Sequence, residues 1–162
     1  MTKILSLTFL LCLLLSSVFG QTQQLILTTE QNGKWLDSLK KLPFDQQLLT
    51  IEERLFLDTN VFVRESYPDR IKVTDSLGKR IYGDGKPTLI IGGYAMIIDN
   101  KTQTNKIVSL TKLLTQTYIK EIFILSPNDL AATAICGSAG QFGIIVMKVT
   151  KRKYAKLFRR LD

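Results

Sequence analysis

The first half of the chain carries apolar residues at helical intervals. They form two stripes, Trp35, Leu36, Leu39 and Leu42, then Leu48, Ile51 and Leu55. Side chains three and four positions apart share one face of an α-helix. Because Pro43 lies between the stripes and cannot continue the first helix, the pattern predicts two separate helices.

Shorter apolar runs predict β-strands. Residues 71–73 and Ile81 flank the turn-forming sequence TDSLGK, which indicates a hairpin. In the second half of the chain the runs PTLII, EIFIL and GIIVMKV are bounded by turn residues. Pro87 opens the first of these runs, and Gly93 follows its end.

Two helices are predicted between the strands of the second half. The first has one apolar face, formed by Leu110, Leu113, Leu114 and Tyr118. The second has Ser126 as a candidate N-cap, Pro127 in the first helical position and Asp129 three residues beyond the cap. Gly137 stands where a helix C-terminus favours a left-handed residue.

These elements predict an α+β protein. Its C-terminal half has the order β-α-β-α-β, with a mixed sheet, and its N-terminal half is a helical extension. Strand–helix–strand units normally connect by right-handed crossovers, so successive right-handed crossovers are expected between residues 87 and 149.

Three glycines at a spacing of three, Gly137, Gly140 and Gly143, could cradle a phosphate or form a tight corner. Phosphate-binding glycine loops lead from a strand into a helix N-terminus, where free N–H groups and the positive dipole end meet the anion. Here the predicted order is reversed, from a helix C-terminus into a strand. The direction favours a structural corner in which glycine allows a sharp turn.

The composition argues against most catalytic chemistry. The chain has no histidine, which excludes serine–histidine and cysteine–histidine catalysis and any imidazole metal site. Glu52 and Glu53 are adjacent on a predicted helix and therefore diverge, while Asp99 and Asp129 fall in loop or cap positions. We expect a protein that is not an enzyme and has no cofactor or metal site.

The net charge of +8 is concentrated at the C-terminus. The cations there are Lys151, Arg152, Lys153, Lys156, Arg159 and Arg160. Apolar residues alternate with them, so residues 152–162 form an amphipathic basic tail able to lie on anionic lipid or on an acidic partner. A solvated, frayed tail is the alternative. Nucleic acid is not expected as a partner, because no stacking motif accompanies the cations.

The N-terminus has the pattern of a signal peptide. Lys3 precedes an apolar run from Ile4 to Leu15 that is too short to span a membrane, and Val18 and Gly20 occupy the small-residue positions before a cleavage point at Gln21. We predict removal of residues 1–20 and export of the remainder. A retained N-terminal anchor is the alternative.

The segments KPTLIIGG and YIKEIFILSPNDLAATAICGSAGQFGIIVMKVTKRK resemble the plug domain of TonB-dependent outer-membrane receptors of Gram-negative bacteria. The resemblance covers residues 86–153, in which Pro87, Gly93 and Gly143 match the family pattern. Three positions depart from that pattern. The chain has Gly92 where the family usually has aspartate, Cys136 where it has tyrosine, and Phe142 where it often has asparagine.

We divide the chain into four parts: residues 1–20, the signal peptide; 21–85, an extension of helices and a hairpin; 86–151, the plug-like domain that the resemblance implies; and 152–162, the basic tail. A receptor barrel of roughly 22 strands needs well over about two hundred residues, so we expect a free-standing plug-like domain that is not itself a transporter. It would act as an accessory binding protein in the periplasm or at the outer membrane, docking on a barrel or another envelope protein. Alternatively, it is a secreted interaction protein that binds an anionic surface or acidic partner through its tail.

Overall fold

The computed structural model describes residues 25–60, 62–63, 71–74, 80–83, 85–96, 98, 102–127 and 129–161. The predicted signal peptide lies outside these residues. The described residues form five α-helices and seven strands. The helices are α1 (Thr29–Lys40), α2 (Phe44–Asp58), α3 (Thr104–Thr111), α4 (Leu130–Cys136) and α5 (Arg152–Arg159). The strands are β1 (Phe62–Val63), β2 (Ile71–Thr74), β3 (Arg80–Gly83), β4 (Thr88–Ile91), β5 (Tyr94–Met96), β6 (Ile119–Leu125) and β7 (Ile144–Val149).

The two helices predicted in the first half are confirmed as α1 and α2. Helix α1 begins with a capping box, in which the Thr28 hydroxyl accepts from the backbone N–H of Gln31 at 3.2 Å and the Gln31 side chain accepts from that of Thr28 at 3.0 Å. Pro43 is the N-cap of α2. A proline is tolerated there because the first N–H groups of a helix have no intrahelical partner.

The predicted hairpin is also confirmed. Strands β2 and β3 pair antiparallel, with Val73 opposite Ile81, and β1 adds to β2 to give a three-stranded antiparallel sheet. The predicted turn, residues 75–78, lies outside the described residues.

The second sheet has the strand order β5-β4-β7-β6 and is mixed. Strands β4 and β7 are parallel, with Leu89 opposite Ile145, while β5 and β6 are antiparallel to their neighbours. The predicted α+β class with a mixed sheet in the C-terminal half is therefore confirmed. The predicted succession of right-handed crossovers is wrong, because β6 runs antiparallel to β7 and only β4 and β7 form a parallel pair.

Strand β5 was not predicted from the sequence. It has three residues and follows a tight turn at Gly92 and Gly93, whose φ angles are +58° and +91°. Three residues are too few to show the alternation that identifies a strand. The turn itself agrees with the prediction that β4 ends before Gly93.

Two predicted helix boundaries need correction. Helix α3 ends at Thr111, so Leu113, Leu114 and Tyr118 lie in the turns that follow it rather than on the helix. Helix α4 begins at Leu130, and its N-cap is Asp129, whose carboxylate accepts from the backbone N–H of Ala131 at 2.9 Å. The predicted cap at Ser126, with Pro127 in the first helical position, is therefore wrong.

One apolar core joins the helices to the mixed sheet. It contains Leu36, Leu39, Leu48, Ile51, Leu55, Leu89, Ile91, Met96, Ile98, Ile107, Leu110, Leu114, Ile119, Ile145, Met147 and Phe158. Both sides of the predicted boundary at residues 85 and 86 contribute to this core. Strands β4 and β7 supply alternate residues to it, Leu89 and Ile91 from β4 and Ile145 and Met147 from β7, and β6 supplies Ile119.

Candidate functional site

The glycine corner between α4 and β7 is held by close packing. Gly137 ends α4 with φ +57°, and Gly143 precedes β7 with φ +91°. Between them lies a 3-10 helix, Gly137–Phe142. Gly140 has no positive φ, but a Cβ there would overlap the Ala132 carbonyl. The corner therefore uses its glycines for backbone conformation and close approach, in agreement with the structural interpretation.

The three departures from the plug-domain pattern fall at packed positions. A Cβ on Gly92 would lie 2.9 Å from the Ala155 Cβ, so the glycine lets α5 lie directly over the β4–β5 turn. Phe142 is half-buried, and its ring occupies the space that a Cβ on Gly85 would need. Cys136 is half-buried and has a free thiol.

Ser126 joins the end of β6 to α1 instead of capping α4. Its hydroxyl donates to Asp37 Oδ1 at 2.8 Å and accepts from Lys40 Nζ at 2.5 Å. The hydrogen bond from Ser126 is the main cause that lowers the pKa of Asp37 from its ordinary value, and Lys40 lowers it further. The two hydrogen bonds of Ser126 link the end of β6 to α1, and we call this contact the polar clip.

A shallow groove of about 450 Å³ lies beside this clip. It is lined by Thr29, Glu30, Gly33, Lys34, Asp37, Ser126 and Pro127. Glu30 and Lys34 form an exposed ion pair at 2.5 Å across one wall, and that hydrogen bond lowers the pKa of Glu30. The charges that line the groove are thus paired within it, and the Ser126 hydroxyl is already occupied on both sides.

A buried polar cluster holds α1, α2 and the segment before β4 together. Arg54 donates to Asp58 at 2.9 Å and to the Asn32 side-chain oxygen at 2.9 Å, while the Asn32 amide donates to the Gly85 carbonyl at 2.6 Å. The guanidinium also lies 4.8 Å from the Trp35 ring centroid. Asn32, Arg54 and Asp58 are 0%, 5% and 8% exposed, so the hydrogen bonds are needed to compensate desolvation of the charges.

The sequence interpretation did not identify this cluster. The spacing of Arg54 and Asp58, four residues apart on one helix, is the signal that was present. The hydrogen bonds of Asn32 could not be predicted from the neighbouring sequence, because its partners lie 22 and 53 residues away in the chain.

The basic tail is a helix docked on the sheet. In α5, Phe158 is 0% exposed and belongs to the core, and Tyr154 packs edge-to-face on Tyr118 at 5.0 Å. The alternative of a frayed tail is therefore wrong, since the apolar side of the helix is already occupied by contacts with the body of the protein. The exposed side of α5 consists of its charged side chains.

The exposed side of α5 forms a cationic face. We use this name for Arg152, Lys153, Lys156, Arg159 and Arg160. At ~100° per residue these five positions fall within an arc of roughly 120° on the helix. Lys151, the sixth cation of the predicted tail, is the exposed N-cap and precedes the arc.

Within the described residues, no acid pairs with the cationic face. The Arg159 guanidinium lies 5.7 Å from the Tyr94 ring centroid and the Lys153 ammonium 5.4 Å from that of Tyr154. These cation–π contacts attract the two charged groups but leave their net charge in place.

Some of the charges of α5 oppose its stability. Lys156 has like-charged neighbours four positions away on both sides, Arg152 and Arg160, and each such pair costs about 0.2–0.5 kcal/mol. The first turn has no acid and no side-chain cap, and it places Arg152 and Lys153 at the positive end of the helix dipole, whereas Lys156 and Arg159 in the last turn interact favourably with the negative end. An anion placed against this face would relieve both effects.

A second exposed surface lies at the other end of the mixed sheet. Strand β6 is an edge strand, and Phe123 on its outer face is 39% exposed. The chain continues from β6 into α4, whose Leu130 and Ile135 are 88% and 57% exposed. Lys148 lies over the Phe123 ring at 4.4 Å and pairs with Glu121 at 3.2 Å, so charges flank the apolar side chain.

Other candidate chemistry is sparse. Among the described residues, no three acidic or cysteine side chains gather in a way that could hold a metal ion. The longest helix within those same ranges, α2, has 15 residues, and none is long and apolar enough to cross a bilayer.

No protein-family model, curated protein or solved structure matches the chain. The likeness to plug domains therefore rests on the sequence segments quoted above and stays a prediction.

Proposed function

We propose that the protein is an exported, non-enzymatic binding protein of the bacterial cell envelope that attaches to an anionic surface or partner through the cationic face of α5. The observation that carries this proposal is that α5 is fixed to the body of the protein while the positive charges on its exposed side have no acidic partner among the described residues. Phe158 anchors the helix in the core, while the five residues of the cationic face are exposed and have no acidic partner in the described part of the chain.

The proposal follows from the energetics of the helix. Like charges on one face and cations at the helix N-terminus both destabilise α5, and neither is needed for its packing, which Phe158 and Tyr154 provide. Patches with one sign of charge speed and strengthen association with surfaces of opposite charge. Binding is the function that such a patch serves, and the signal-peptide pattern supports placing it outside the inner membrane.

The test is fractionation of a Gram-negative host that expresses the untagged chain, detected by an antibody, because a C-terminal tag would alter α5. We expect the mature chain to begin at Gln21 and to sediment with the envelope until high salt releases it. The triple variant Arg152→Glu, Lys156→Glu and Arg160→Glu should move to the soluble fraction, since each charge near an anionic surface contributes about 1 kcal/mol.

The matched control reverses three exposed lysines elsewhere, Lys41, Lys112 and Lys120. This control variant changes the net charge by the same amount as the α5 variant. It should stay with the envelope if binding depends on where the charges lie rather than on the net charge. Equal release of both triple variants, or a wild-type chain found only in the soluble fraction, would contradict the proposal.

A second candidate function is an accessory role in TonB-dependent uptake, with docking on an outer-membrane barrel. The edge position of β6, continued by the exposed residues of α4, favours it, because an edge strand offers backbone groups to an added strand. A photo-crosslinking residue in place of Lys120 on β6 should then capture a barrel protein in intact cells, whereas one at Lys112, after α3, should not. The same products from both positions would count against docking at this edge.

A further inference from the structure

We propose that the cationic face of α5 binds the phosphate layer of an anionic phospholipid bilayer, rather than an acidic protein. This inference rests on the proposed function and names the partner of the same surface. Three features of α5 distinguish the two kinds of partner: the absence of an apolar anchor on the face, the shape of the face and the fixed position of the helix.

The cationic face lacks the anchor that a protein partner needs. Protein interfaces are centred on buried aromatic or apolar side chains, with lysine depleted. In α5 those side chains turn inward: Phe158 is in the core, Tyr154 packs on Tyr118 and Leu157 is half-buried. The face holds three arginines, a residue type enriched at protein interfaces, and two lysines, which are depleted there; all five are exposed and none is aromatic or apolar.

The shape of the cationic face is complementary to a flat, negatively charged membrane surface. Arg152 to Arg160 spans roughly 12 Å at about 1.5 Å per residue, and the five cations occupy one arc. A helix lying along a membrane surface brings all five within about 8–10 Å of it, the Debye length at physiological salt. Phosphates in a bilayer are mobile and dense, so no individual pairing is required.

The docked position of α5 also determines how deeply the protein enters the membrane. An interfacial amphipathic helix buries its apolar face among the acyl chains. Here that face is occupied by the sheet and the core, which leaves an electrostatic contact at the headgroups. The binding is therefore peripheral, sensitive to salt and independent of acyl-chain composition.

The experiment is vesicle sedimentation with the mature chain. We expect binding to vesicles that mix phosphatidylglycerol with phosphatidylcholine, none to pure phosphatidylcholine, and release at about 1 M salt, where the Debye length falls to about 3 Å. The triple variant Arg152→Glu, Lys156→Glu and Arg160→Glu should lose at least about 100-fold in affinity. The control that reverses Lys41, Lys112 and Lys120 should lose less than about 10-fold.

A charge-conserving variant tests whether binding needs individual guanidinium pairs. Replacing Arg152 and Arg160 by lysine keeps the charge but removes the planar guanidinium, which can pair with a carboxylate or a phosphate through two hydrogen bonds. Vesicle affinity should change less than about threefold, because a phosphate layer responds mainly to charge. Soluble poly-glutamate serves as the acidic-protein probe and should bind at least about tenfold more weakly than the vesicles.

The outcomes separate the inference from the proposed function. If poly-glutamate binds as tightly as the vesicles or more tightly, the partner is an acidic protein and the membrane inference is wrong, while the proposed function stands. If neither probe binds the wild-type chain, or if both triple reversals weaken binding equally, the proposed function is wrong as well.

Discussion

Gly143→Ala should destabilise the protein by roughly 2–6 kcal/mol, a large fraction of the about 5–15 kcal/mol by which a typical domain is stable. Two costs combine at this position. With φ at +91°, a side chain forces a backbone conformation that costs about 1–3 kcal/mol. The added Cβ would also overlap Leu36 Cδ1 and lie 2.9 Å from the Leu125 carbonyl oxygen, and overpacking of this kind costs about 1–3 kcal/mol more.

Gly93→Ala is the matched control, since Gly93 has the same φ of +91° and no atom within 4 Å of an added Cβ. It should show the backbone cost alone. Gly137→Ala, with φ +57° and equally open surroundings, should behave like Gly93→Ala. The measurement is the free energy of unfolding from urea denaturation. Equal losses for Gly143→Ala and Gly93→Ala would show that the corner is not packed against α1.

Phe158→Ala should cost about 3–5 kcal/mol in the free energy of unfolding, the usual loss for a buried phenylalanine. Phe158 is 0% exposed and belongs to the apolar core that the sheet and the N-terminal helices share. Without it, α5 has only eight residues and like charges on its exposed side, and an isolated helix of that length is not stable in water.

Hydrogen exchange gives a second readout for Phe158→Ala. Amide protection in α5 should be lost before protection in β7, because the helix would detach locally. Leu157→Ala is the control, since Leu157 is half-buried and next in sequence; it should cost about 1 kcal/mol. A loss below about 1 kcal/mol for Phe158→Ala would mean that α5 is not docked in solution.

The parts of the fold that the sequence predicted are those with a strong local pattern. The stripe ending at Leu42 identified α1, and the run from Gly143 to Val149 identified β7, because helical and strand periodicity report which side of an element is apolar. The glycine corner followed from element order alone. The cap at Ser126 was predicted wrongly, since Asp129 competes for the same helix and the Ser126 hydroxyl is taken by Asp37, 89 residues away.

The candidate site, the cationic face of α5, could likewise be predicted from the sequence only in part. The sequence by itself determined where the cations are and that apolar residues alternate with them in residues 152–161. Only the tertiary structure decided that the apolar side is used internally, with Phe158 in the core and Ala155 over Gly92, and that β6 runs antiparallel to β7. The physical reason is that periodicity specifies the face of an element, whereas the surface that covers that face is set by contacts between residues far apart in the chain.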